Sequence, residues 1–265
     1  MLQHDTLSSR FNLVWAMGLA AWASLAASVA PAQADEKPLH VFILSGQSNM
    51  AGMDPKLGFE PETKKLFPAA NVVYFKVARG GQPIRHWVAQ WDEIARKHGI
   101  DVAAARAKER DSKTIYYQPI LDRFAEIVKE QGPPASVTFC WMQGERDARG
   151  RLSAAYADAL RQLITNLRRD LQQPQMQFVI GRLSDFGKPD DEHWQAVRQA
   201  QTQVAGEDKH GAWVDCDDLN DKMKNGAKVD DLHYTREGYE LLGRRYVRQA
   251  KAMLDGQKPA ADGRP

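Results

Sequence analysis

Five short apolar runs, each ending in small or polar residues, limit the folds open to this chain more than any other feature. They occupy residues 41–45, 72–77, 136–142, 177–182 and 212–216. Each is too short for a buried helix, and near-continuous apolar character marks strands covered on both faces, as in a parallel sheet. The segments between them carry helical periodicity. Residues 153–171 place Tyr156, Leu160, Leu163, Ile164, Leu167 and Leu171 on one face, and similar stripes run through 118–130 and 237–254. Alternation of strand and helix predicts an α/β protein, a three-layer α/β/α sandwich around a five-stranded parallel sheet. In such a sheet, ligands bind outside the carboxyl ends of the strands.

Four strand ends carry residues suited to one reaction. In VFILSGQSNMAG the first run stops at Gly46, which permits a sharp turn, and Ser48 follows at the start of a helix. A serine there gains backbone N–H donors aimed at an anion, although Gly and Ser are also ordinary turn residues. The second run empties into Gly80-Gly81 of GGQPIRHW, where backbone can approach a ligand closely and donate to an oxyanion. The third empties into Gln143, Gly144 and Glu145 of WMQGERDA. Near the other end, DDLHYT sets Asp230 three residues before His233. A serine hydroxyl needs a base, and the base needs a carboxylate to fix its tautomer. Thr235 and Glu237 suit a helix start, which leaves His233 without a structural role.

The set GQSNMAG, GGQPIRHW, WMQGERDA and DDLHYT resembles the sialate O-acetylesterase-like domain, carbohydrate esterase family six, of the SGNH/GDSL hydrolase superfamily. The resemblance runs from about His40 to about Ala252 and implies the SGNH hydrolase fold. It implies Ser48 as nucleophile, His233 as base and Asp230 as orienting acid. The oxyanion hole would be the Ser48 N–H, a glycine of Gly80-Gly81, and Gln143, where many superfamily members carry Asn. Glu145 and Asp147 lie at the same edge as supporting carboxylates and as rivals to Asp230.

Ahead of the first strand, Arg10 precedes an uncharged Ala/Leu-rich stretch from Phe11 to Ala30, then Ala32-Gln33-Ala34. This reads as a secretory signal peptide over 1–34, cut after Ala34, with an uncleaved anchor as the competing reading. The expected location is the periplasm or the medium, without stable membrane insertion after cleavage. Residues 35–254 read as one catalytic domain and 255–265 as a disordered tail. The net charge is +2 and basic residues alternate with acids, so nucleic-acid binding has no support.

In the flavodoxin-like strand order 2-1-3-4-5, Cys140 and Cys216 are separated by a whole strand. Two spacings amount to about 9.6 Å, beyond the ~7 Å limit for a disulfide, so two buried free thiols are expected. Asp215, Asp217, Asp218 and Asp221 fail the calcium-loop pattern, and no zinc spacing is present. No metal and no cofactor are expected. Trp87, with Trp91, Tyr116 and Tyr117, offers flat faces for sugars or else covers the core. Arg85, Arg146 and Arg149 pair with an acidic group on the sugar or else stand in solvent.

The expected activity is that of a serine esterase removing short acyl groups, acetyl on the resemblance, from carbohydrate hydroxyls. Two alternatives remain: a non-catalytic carbohydrate-binding module on the same fold, or a lipase-type esterase or acyltransferase with the same residues. The partner is an acetylated carbohydrate. The sequence leaves the glycan and the oligomeric state open.

Overall fold

The apolar runs become strands whose ends coincide. In the computed structural model, which describes residues 37–107, 115–188, 190–229 and 231–265, the main sheet comprises β1 (Leu39–Gly46), β2 (Asn71–Ala78), β3 (Ser136–Met142), β4 (Gln177–Gly181) and β5 (Gly211–Val214). The order is β2-β1-β3-β4-β5 and every pairing is parallel, as expected. Central β1 is buried from Val41 to Gly46. Its last residue, Gly46, stands opposite both Ala78 and Met142. That register brings the chain out at one edge in three places, and Ser48, Gly80 and Gly144 follow within a turn.

The helices are α1 (Ser48–Gly52), α2 (Phe59–Leu66), α3 (Trp91–Lys97), α4 (Val102–Arg106), α5 (Gln118–Gln131), α6 (Glu145–Arg149), α7 (Tyr156–Asp170), α8 (Glu192–Glu207) and α9 (Arg236–Leu254). The expected stripe of α7 is buried in full. In α8, Asp191 caps the helix by accepting from the N–H of His193 and Trp194. In α9, Thr235 does the same for Gly238 at 2.8 Å. Helix α2 packs on α9, and α7 on α8.

A second, two-stranded sheet was not anticipated: β6 (Lys222–Lys224) and β7 (Ala227–Val229) form an antiparallel hairpin. Its turn is Asn225-Gly226, both at positive φ (53° and 77°), the pairing that two-residue hairpin turns require.

The expected disordered tail is instead held in place. Gly263 accepts from the Asp215 N–H at 2.8 Å, Ala260 exchanges hydrogen bonds with Gln249, and Arg264 pairs with Asp215 at 2.6 Å. The tail covers the end of β5, the last strand of the sheet, and thereby satisfies backbone that an edge leaves open. Cys140 and Cys216 are buried and free, with Cys216 just beyond β5 rather than on it. The acids expected near calcium spacing are spent on arginines: Arg182 pairs with Asp215 and Asp217, Arg198 with Asp217, and Arg245 with Asp218. Among the described residues no group of three or more His, Cys, Asp or Glu side chains is arranged to hold a metal. None of their helices is long and apolar enough to cross a membrane. The expected signal peptide, residues 1–34, lies outside the described residues.

Candidate active site

At the carboxyl edge of the sheet lies a cleft of about 340 Å³, lined by Gln47, Ser48, Gly80, Gly81, Glu145, Arg146, Arg149, Leu232 and His233. It gathers the expected Ser48, Gly80, Gly81, Glu145, Arg146 and His233 from four separate loops. Asp230 lies outside the described residues.

The turn that presents Ser48 depends on glycine. Gly46 has φ +143°, and a Cβ there would sit 1.9 Å from the Met142 carbonyl oxygen, so β1 and β3 could not end side by side with any other residue. The next N–H, of Gln47, donates to that oxygen at 2.8 Å. Ser48 then opens α1, where its own N–H has no partner within the helix. Gly80 approaches so closely that a Cβ would touch the Ser48 Cβ at 3.6 Å, and Gly81 turns at φ +71°.

Asn49, which the sequence reading passed over, holds this edge together. It is buried, and its Nδ2 donates to Glu145 Oε1 at 2.9 Å and to the Leu232 carbonyl at 3.1 Å. Its Oδ1 accepts from the Tyr239 hydroxyl at 3.1 Å. One side chain thus ties α1 to α6, to the loop carrying His233, and to α9. The signal was present: an amide directly after the candidate nucleophile, in a segment where a buried polar group must have partners.

Glu145 is 2% exposed; its Oε1 takes the Asn49 bond, while Oε2 has no hydrogen-bond partner. Burial pushes its carboxyl up to about 7, against smaller opposing contributions from its backbone N–H and from Asn49. Asp147, also buried, accepts from the Ile84 N–H at 2.9 Å and from Gln143 Nε2 at 2.5 Å. It therefore anchors the glycine loop, through the 3₁₀ turn Ile84–His86, to α6.

Three expected site residues do not line this cleft. Gln143 does not line the cleft: it is fully buried, and its Nε2 is shared among Asp147, the Gln82 carbonyl and Gln47 Oε1. The Gln143 Oε1 has no hydrogen-bond partner. Trp87 is not a rim platform but core, fully buried, donating to Ser45 Oγ at 3.0 Å and meeting Trp141 edge to face at 5.1 Å. The 3₁₀ turn swings it inward from the glycine loop. Trp91 is likewise buried, and Tyr116 packs on Trp87. Arg85 is buried over the Trp91 ring and donates to the Ala105 carbonyl, outside the Ser48 cleft.

His233 is exposed at the cleft wall. Its backbone N–H donates to Asp231 Oδ1 at 2.9 Å, and Asp231 in turn accepts from Lys222 Nζ of β6 at 2.9 Å. These two bonds hold the Asp231 carboxyl below its usual range, the His233 N–H contributing most.

A model of the family described as "Carbohydrate esterase, sialic acid-specific acetylesterase" matches residues 52–252. The match starts just after Ser48. No curated protein matches the sequence. Among solved structures, a protein from Arabidopsis thaliana aligns with 22% identity and a TM-score of 0.55, over 83% of this chain and 100% of that one. A carbohydrate acetylesterase from Xanthomonas citri aligns with 15% identity and a TM-score of 0.54, over 83% of this chain and 57% of that one. At such identities the two structures establish a shared fold.

Proposed function

Because this chain belongs to the carbohydrate esterase family of sialic acid-specific acetylesterases, and is thus an esterase, we propose that it removes acetyl groups from carbohydrate hydroxyls through an acyl-enzyme on Ser48. The observation that carries this reading is the convergence of Ser48, the Gly80-Gly81 loop and His233 on one cleft. Ser48 Oγ attacks the ester carbonyl while His233 takes the hydroxyl proton. The oxyanion is received by the Ser48 N–H and by N–H groups of the glycine loop, without the Gln143 amide. When the tetrahedral intermediate collapses, His233 returns the proton to the departing sugar oxygen. Water, deprotonated by His233, then attacks the acetyl-serine and releases acetate. Asp230 orients the imidazole, since chain proximity sets their separation locally.

Acetyl is favoured over longer acyl groups because Leu232 is the one aliphatic side chain among the described residues lining the cleft. That leaves little surface for a long chain to bury. Export to the periplasm or the medium, through the segment 1–34, belongs to the same reading. The test is acetate release from a panel of acetylated glycans by the purified protein, beside a p-nitrophenyl ester series. Acetyl esters should be cleaved far faster than octanoyl esters. Equal rates would favour a lipase-type esterase, and no release from any ester would favour a binding module.

A further inference from the structure

The cleft that holds Ser48 continues past Arg146 and Arg149. The same two arginines wall an adjoining cleft of about 270 Å³, whose lining includes Pro83, Arg85, Arg151 and Leu152 and, among the described residues, no carboxylate. In α6 they stand three residues apart, which places both on one face of the helix. The opposite face buries Asp147 and Ala148.

Elsewhere in this protein partly buried arginines are matched with acids, as Arg182, Arg198 and Arg245 are. Arg146 and Arg149 form no close ion pair with any described residue; Arg149 acts on the Glu145 carboxyl only at longer range, and its guanidinium lies over the Phe186 ring at 5.4 Å. Arg151 adds a third positive group, an exposed side chain whose guanidinium also lies 3.8 Å from the Glu192 carboxylate. It occupies the left-handed position that closes α6, at φ 59°, where glycine is the usual residue. Its Nε donates to His193 Nε2 at 3.2 Å, and the His193 Nδ1 meets Ser153 Oγ at 2.7 Å. The left-handed backbone and the His193 contact direct this side chain to the wall of the adjoining cleft.

We propose that the adjoining cleft is a subsite for an anionic substituent, a uronate carboxylate or a sulfate ester, on the sugar unit next to the acylated one, received by Arg146, Arg149 and Arg151. The proposal rests on the esterase reading for its link to turnover. Planar guanidinium groups suit either anion, since both present paired oxygens to the fork. The glycan would then lie across both clefts, with the ester at Ser48 and the acid beyond Arg146.

The test compares three acetylated oligosaccharides of equal length, one neutral, one carrying a hexuronate and one carrying a sulfate. The wild-type KM should be lower for one or both acidic substrates by about tenfold or more, the scale of one charged hydrogen bond. Which acid gains more identifies the anion. Arg146→Gln and Arg151→Gly should each reduce that discrimination about tenfold, and the glycine variant should keep or raise the thermal transition because it relieves the backbone. Equal KM for all three substrates in the wild type would overturn the subsite, as would discrimination that survives both substitutions. Calorimetric binding of the deacetylated acidic and neutral oligosaccharides reads the subsite without turnover. Hydrolysis of p-nitrophenyl acetate reads the esterase separately, so failure of either claim is visible without the other.

Discussion

The two sides of the cleft are built differently. On the nucleophile side, Gln47, Asn49, Glu145 and Asp147 are all buried, and their hydrogen bonds are shielded from water. On the histidine side, the loop hangs from a two-stranded hairpin whose Met223 is 66% exposed. Its Lys222–Asp231 pair is 35% and 37% exposed. Buried bonds are costly to break because the abandoned partner stays dry, whereas an exposed ion pair exchanges with water for little. The nucleophile is therefore fixed by the stability of the domain itself; the backbone of the histidine loop is anchored by the Asn49 and Asn220 amides, while its hairpin side is held by exposed contacts. Substitutions of the buried polar groups behind Ser48 should register mainly as stability, and those that act on His233 mainly as activity.

The sharpest contrast falls on Asp230. Asp230→Asn should lower turnover by as much as ~10⁴-fold, less for an activated ester, by favouring the wrong imidazole tautomer. The thermal transition should hardly move. Retained activity here, with loss in Asp147→Asn, would transfer the orienting acid to the α6 side and break the comparison.

Asn49→Ala should do the reverse. It strips partners from Glu145, the Leu232 carbonyl and the Tyr239 hydroxyl at once, at a cost of about 2 to 4 kcal/mol in denaturant unfolding. Because Leu232 adjoins His233, turnover should fall as well, but less than in Asp230→Asn.

Glu145→Gln gives a pH-dependent effect. In the folded protein the carboxyl sits at about 7, above its ordinary 4.5, so the fold prefers it protonated. That preference is fully satisfied below 4.5 and turns into a penalty as pH rises through 7, reaching about 3 kcal/mol in alkaline solution. A neutral glutamine keeps an acceptor for Asn49 and carries no such penalty. The variant should unfold at a higher temperature than wild type at pH 8, with the gain shrinking toward pH 5. A gain independent of pH would show that the carboxyl does not titrate in this range.

Lys222→Ala should cost less than about 1 kcal/mol of stability, since the pair it breaks is exposed. Any larger loss would mean that the histidine loop is tied to the domain more firmly than its exposed contacts indicate.

The sequence was most legible where one physical pattern dominated. Short apolar runs marked all five main strands, even edge strand β2, in which only Phe75 is buried, and 3.6-residue stripes marked α5, α7 and α9, while α8 was implied by the family resemblance. It was least legible where two patterns look alike. Trp87 beside a glycine loop reads equally as platform or core, and only the inward 3₁₀ turn decides. Gln143 has the right chemistry for an oxyanion donor, but its neighbours Asp147, Gln82 and Gln47 claim its hydrogens. The Asn225-Gly226 turn carries a strong short-range hairpin signal, but its flanking strands, Lys222–Lys224 and Ala227–Val229, are too short and polar to show a strand pattern. The tail, polar and rich in Pro and Gly, is ordered by tertiary contacts that composition does not record. Asn49 lay inside a motif already singled out, overshadowed by the serine beside it.

The most direct test of the central claim is Ser48→Ala, assayed on p-nitrophenyl acetate and followed through thermal unfolding. The account predicts loss of hydrolysis to near the uncatalysed rate with an almost unchanged transition, because the Ser48 side chain faces the cleft and the Gln47 and Asn49 bonds that fix the turn remain. Hydrolysis at the wild-type rate by the folded variant would contradict it.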